Sequence, residues 1–265
     1  MFSRSKTSVT RLLRIQAWSC MASAGLLLAL SGTAAADLPV LVLNNPTETP
    51  FTTEAGDGLL DVVVGEAFRR AGLRLTLVKL PAERGLISAN AGNEDGDLSR
   101  IAGLEKAYPN LVRVPEKIFD MQFVAFTRST RLHKADWRTL EPLSVGHIKG
   151  WKIFEQNLTP KTQSITVDGP EQLMDMLGRG RIEVALYERW MGLAVARKLG
   201  LAGVRVAEPA LAEREMFIYL HKRHAAHVVA IANALRAIKQ EGMYTRVCRE
   251  KFSVIAPPAN QCDIK

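Results

Sequence analysis

Arg84, Asp97 and Arg100 are the side chains best placed for chemistry, in the stretch PAERGLISANAGNEDGDLSRIAGLEKAYPNLVRVPEK from Pro81 to Lys117. On a long periodic helix such charges would form a solvated face. Here Gly85, Gly92, Gly96 and Gly103 interrupt the pattern, which predicts loops beside a short apolar strand. Loops held on a rigid scaffold are where binding groups concentrate. A wall of this composition suits a small polar or anionic ligand. Patterns for bond-making chemistry are missing: there is no CxxC and no HExxH, and the five histidines, His133, His147, His221, His224 and His227, lack metal-ligand spacing. The sequence therefore predicts recognition without a cofactor or metal.

The elements that must position these groups follow an exported pattern. The chain opens with Arg4, Lys6, Arg11 and Arg14, continues with an apolar segment from Met21 to Leu30, and reaches SGTAAA before Asp37. A basic start, a short apolar core and an Ala-x-Ala exit describe a signal peptide, residues 1–36, cleaved after Ala36. The apolar run is shorter than the roughly 20 residues a membrane helix needs, so no stable membrane insertion is expected. Cys20 lies before most of that run, the wrong side for a lipid-attachment cysteine. Without the leader's four basic residues, the 35 Lys and Arg become 31 against 27 acidic residues, and the net charge falls from +8 to +4. The charges are mixed and no basic block appears, which argues against a nucleic-acid partner. Cys248 and Cys262 remain, an even count in an exported chain, and an oxidising compartment favours a disulfide between them over two free thiols.

Beyond Asp37 the pattern alternates. Leu38 to Leu43, Leu73 to Leu80, Gln122 to Thr127, Leu143 to His147, Ile182 to Tyr187, Val204 to Ala207 and Glu215 to Leu220 read as strands. Gly58 to Ala71, Gly169 to Leu177, Arg189 to Leu199 and Ala225 to Gln240 read as helices, several closed by glycine. Alternation of this kind predicts an α/β architecture. The polar run STRLHKADWRTLEP before a fresh strand-loop-helix sequence predicts two lobes with a boundary near Arg128, and a second polar passage, Ala212 to Glu215, marks a return to the first lobe. A cleft between lobes is a favoured ligand site.

The order of motifs resembles the periplasmic solute-binding proteins of the amino-acid type, family 3. It covers nearly all of the chain after the leader: PFTT (Pro50 to Thr53) like the family's first ligand loop, GLLDVVVGEAFRRAGLRLTLVKLP like its first helix and second strand, VGHIKGWKIFE (Val145 to Glu155) like the turn opening the second lobe, PEQLMDMLGRGRIEVALYE like its helix and acid-terminated strand, and NALRAIKQEGMYTRVCREKF like its closing helix. The resemblance implies a type II periplasmic-binding-protein-like fold, two α/β lobes with a hinge and an interlobe cleft. Lobe 1 would be residues 37–127 and 214–265, and lobe 2 residues 128–213. It implies a periplasmic, monomeric receptor for a small amino-acid-like ligand, with an ABC permease as partner.

Carried over residue by residue, the resemblance is incomplete. Family members place an arginine after a threonine-rich turn to hold the ligand carboxylate, whereas GLEKAYPN puts Lys106 there and lacks the threonines. Arg100 is then the substitute, since guanidinium grips carboxylate bidentately, and Arg84 is the second candidate. Asp97 either neutralises Arg100 or receives a ligand ammonium. Glu188 matches the family's amino-group acceptor; as a residue it equally suits a helix N-terminus. Phe51 and Trp151 would be aromatic walls or core residues. Two further readings stand beside capture and import. One is an enzyme on the same scaffold, like the dehydratases acting on cyclohexadienyl acids, with Glu188 as its general acid or base. The other is a partner that reports ligand occupancy to a membrane receptor.

Overall fold

Strand β1 (Val40–Asn44) leads into helix α1 (Leu59–Arg70), whose Leu59, Leu60, Val63, Val64, Ala67 and Phe68 recur at helical spacing and are buried. These belong to the computed structural model, which describes residues 37–132, 134–256 and 262–263. The predicted signal peptide lies outside them. There follow β2 (Arg74–Val78), α2 (Ala82–Ala91), β3 (Gly96–Arg100), β4 (Leu111–Thr127), β5 (Ser144–Ile148), α3 (Lys152–Glu155), β6 (Gln163–Val167), α4 (Pro170–Gly178), β7 (Val184–Glu188), α5 (Arg189–Lys198), β8 (Arg205–His221), α6 (Val228–Gln240) and α7 (Met243–Ser253). Residues Leu38–Lys265 form one compact unit by themselves. No described helix is long and apolar enough to cross a membrane.

The strands order as β2-β1-β3-β8-β4-β7-β5-β6. Parallel pairs β1·β2, β1·β3, β5·β6 and β5·β7 occupy the two flanks, each needing a crossover. β4 and β8, of 17 residues each, run antiparallel through the middle. The C-terminal part of β8 pairs with β3, and the C-terminal part of β4 pairs with β7. One half is therefore built on β1, β2 and β3, the other on β5, β6 and β7. β4 and β8 pass between them, with register shifts at Arg113/Lys117, Lys117/Phe119 and Phe123/Ala125. The fold is α/β as expected, with one eight-stranded sheet whose parallel strands fall into two flanking groups.

Several elements differ from the expectation. The stretch after Pro81 is not a loop wall: α2 ends at Gly92 in the left-handed conformation (φ 84°), and β3 follows. Gly85 within α2 is needed because a Cβ there would stand 1.9 Å from the Asn44 amide nitrogen. Ala212 to Glu215 is no break either; it lies inside β8, paired with residues 120–123 of β4.

The core is closed by α1, α6 and α7 over the first half. Phe51 packs at 4.3 Å on Phe119 with the rings tilted by 31° and meets Phe252 edge-on at 5.4 Å, and Trp190 of α5 stacks on Phe252 at 4.6 Å. The expected disulfide is present: Cys248 of α7 joins Cys262, whose carbonyl accepts from the Thr245 hydroxyl at 3.0 Å. The bridge closes a loop of 14 residues, so its reduction is expected to lower stability by about 3 kcal/mol. Melting with and without reductant checks this; equal midpoints would show that α7 holds the tail without the bond.

Candidate functional site

The carboxyl ends of β1, β2, β5, β6 and β7 converge on one region, the position at which open α/β sheets bind ligands. A cavity of about 510 Å³ lies there. The first half contributes Glu48, Lys79, Glu83 and Arg84, and the second contributes Lys149, Trp151, Asp168 and Tyr187. A neighbouring cavity of about 460 Å³ shares Glu48 and Lys79 and reaches Asn45, Thr47, Thr52, Thr53 and Glu171.

The loop between β1 and α1 is held by a buried polar network. Asn45 Nδ2 donates to Thr52 Oγ1 at 2.8 Å, and the Thr47 amide and hydroxyl donate to Asn45 Oδ1 at 2.9 and 2.7 Å. Asp61 on the first turn of α1 accepts from the Thr53 and Gly58 amides, both at 2.9 Å. A fully bonded network of this kind rigidifies the wall it belongs to.

The charges around the larger cavity are balanced. Lys79 Nζ meets Glu48 at 2.6 Å. The guanidinium of Arg84 and the ammonium of Lys149, both exposed, have no bond to another described residue. Trp151 tilts over the Tyr187 ring at 4.8 Å and stacks parallel on Phe154 at 5.7 Å. Burial pushes the Tyr187 hydroxyl well above its ordinary value, with the carboxylates of Glu48, Glu188 and Glu171 acting in the same direction. It stays a neutral donor, and among the described residues its one bond is to Met191 Sδ at 3.9 Å.

Of the six residues singled out in the sequence, the structure brings Arg84 and Trp151 together in this cavity. The other four lie elsewhere. Asp97, 0% exposed, accepts from Asn44 Nδ2 and from Arg100, both at 2.8 Å. Arg100, with a side chain 11% exposed, also donates to the Ala82 carbonyl at 2.6 Å. The guanidinium is thus turned onto its own chain beneath α2. Glu188 is fully buried and caps α5, accepting from the Met191 amide at 2.7 Å, and Phe51 sits in the aromatic core.

Sequence reading passed over Lys79, Lys149, Asp168 and Tyr187. A signal was available. Lys79, Lys149 and Asp168 each directly follow the last residue of a strand, and Tyr187 is the penultimate residue of one.

No protein-family model matches the chain. A relative from Shewanella oneidensis, described as an uncharacterized protein, is 25% identical over 192 residues, 70% of this chain and 73% of its own. A mutant of ArgBP from T. maritima superposes with a TM-score of 0.67 at 18% identity, over 81% of this chain and 95% of that one. An ancestral arginine-binding protein bound to glutamine gives 0.67 at 16% identity, over 82% and 99%. A histidine kinase sensor domain with similarity to periplasmic binding proteins gives 0.65 at 13% identity, over 83% and 98%. The fold is that of the periplasmic binding proteins. These structural neighbours are ligand-binding and sensor proteins rather than enzymes.

Proposed function

We propose that this chain is an exported, monomeric solute-binding protein. It closes lobe 1 (residues 37–127 and 214–265) and lobe 2 (residues 128–213) around a small polar, carboxylate-bearing ligand of amino-acid type. The observation that carries this reading is the cavity of about 510 Å³ lined from both halves, with Arg84 and Lys149 unpaired at its rim and Trp151 against Tyr187 as an aromatic wall. Arg84 and Lys149 take the carboxylate-holding role that the resemblance assigned to Arg100. Asp97, Arg100, Glu188 and Phe51 support the lobes from behind. Closure by hinge motion places charge-assisted bonds in a site that excludes water.

Delivery to an ABC permease from the periplasm is the use this capture fits. The likeness to a histidine kinase sensor domain favours a second use of the same capture, reporting occupancy to a membrane receptor. Pull-down of the liganded protein with each class of partner distinguishes the two. The enzyme reading loses support because Glu188, its general acid or base, lies buried on the Met191 amide and does not line the cavity.

Thermal shift of residues 37–265 against amino acids and small carboxylates is the test. A ligand at a hundred times its Kd stabilises by about 2.7 kcal/mol. Arg84→Ala with Lys149→Ala is expected to weaken binding at least tenfold, since a hydrogen bond to a charged group contributes about 1.5–3 kcal/mol. An unchanged shift in the double variant removes both residues from the site, and a panel without any shift removes the ligand class.

A further inference from the structure

β5, β6 and β7 point their carboxyl ends at the ligand cavity, so their starting residues lie at the opposite end of the second half. Thr127 at the end of β4 and Arg205 at the start of β8 join them there, since Thr127 pairs with both Val184 and Arg205. Segments 128–132, 175–184 and 200–205 meet at this end, with Lys134 beside the first. Arg128 donates to the Gly178 carbonyl, Arg205 to the carbonyls of Ser129 and Leu132, and the Leu201 side chain packs on Gly178.

With Lys134 these three segments hold six cations, Arg128, Arg131, Lys134, Arg179, Arg181 and Arg205, and two carboxylates, Asp175 and Glu183. The surplus equals the whole net charge of +4 left when the leader's four basic residues are set aside. The rest of the chain after the leader is neutral. Within the face, only Arg179 has a carboxylate partner, Asp175 at 2.8 Å. Glu183 is occupied by the Ser144 amide and hydroxyl at 2.9 and 3.2 Å. Among the described residues the side chains of Arg131 and Lys134 are exposed without a partner, and both line a groove of about 600 Å³ with Thr127, Ser129, Leu143 and one carboxylate, Glu183, whose charge the two cations outnumber. Arg181 is likewise exposed and unpaired.

From this concentration of charge we infer that the end of the second half remote from the cleft is a docking face for the anionic headgroups of a phospholipid surface. The cations attract negatively charged phosphates collectively, and the groove between Arg131 and Lys134 receives one headgroup. A protein-binding patch is usually anchored by aromatic side chains at its centre. None of the large apolar side chains exposed among the described residues is aromatic. Docking is peripheral and leaves the cavity at the other end open. It does not depend on which ligand the cavity takes.

Co-sedimentation of residues 37–265, which include the compact unit Leu38–Lys265, with phosphatidylcholine vesicles carrying or lacking phosphatidylglycerol tests this. The protein is expected to bind only the vesicles carrying phosphatidylglycerol and to be released by high salt. Charge reversal at Arg131, Lys134 and Arg181 (to Glu) is expected to lower the partition on the order of a hundredfold. Reversal of exposed Lys106, Arg246 and Arg249, which changes net charge equally, leaves most of it. Equal losses in the two triple variants, or retention in the first, overturn the assignment of the face. Indifference of the unaltered protein to phosphatidylglycerol at low salt overturns it without reference to any variant, and points to an acidic protein as the partner instead.

Discussion

Asp97→Ala is expected to destabilise the protein by about 3–5 kcal/mol, the usual cost of leaving one member of a buried ion pair uncompensated. The carboxylate is the one anionic partner of Arg100 and also holds the Asn44 amide, which in turn accepts from the Leu80 backbone at 2.9 Å. Removing it leaves a guanidinium that is only 11% exposed with the Ala82 carbonyl and a buried Nε that has no partner. For a chain of this size the melting midpoint should fall by roughly 10 °C. Arg100→Met in the Asp97→Ala background is expected to recover much of the loss, because replacing both charges by apolar groups is often close to neutral. A loss below about 1 kcal/mol for Asp97→Ala would mean that water reaches Arg100 and that the pair is not structural.

That pair shows how far the residues alone could go. Arg84, Asp97 and Arg100 stood out for composition, but their surroundings depend on α2, which Gly85 and Gly92 concealed. Glycine normally weakens a helix interior. Here Gly85 is tolerated because Asn44 passes too closely for any side chain. Once α2 is helical, its first turn carries Arg84 to the cavity and its Ala82 carbonyl covers Arg100. The elements with clear periodicity were legible: α1, α4, α5 and β7 fall within about two residues of their expected limits. β4 was visible only over its last third, because Arg113, Pro115, Glu116 and Lys117 break the alternation where the register shifts. α6 was legible from Val228, Ile231, Leu235 and Ile238, although residues 222–227 before it form a tighter turn. The cavity itself arises from residues at the tips of strands far apart in sequence. Tyr187 and Lys79 share it through topology, which no local pattern encodes.

Glu188 gives the second large expectation, a pH dependence of stability localised at the β7–α5 junction. Burial raises its carboxyl from the ordinary 4.5 to about 8, against the opposing pull of the Met191, Trp190 and Arg189 amides and of the Arg189 charge. One oxygen accepts from Met191 and the other has no partner. Below the unfolded value near 4.5, both folded and unfolded chains are protonated. Between 4.5 and about 8 the unfolded chain has ionised while the folded one keeps its proton, so stability falls as pH rises through this window. Above about 8 both are ionised and the loss is complete, at most about 5 kcal/mol for a shift of this size. Glu188→Gln keeps an acceptor for the Met191 amide and removes the titration. Its stability should match the unaltered protein near pH 5 and exceed it by several kcal/mol at pH 8. Chemical denaturation of both proteins across this range isolates the residue, because every other titrating group cancels in the difference. A difference that does not change with pH would place the Glu188 carboxyl in contact with water. The junction would then not be the dry layer on which Tyr187, one residue earlier, rests as it faces the cavity.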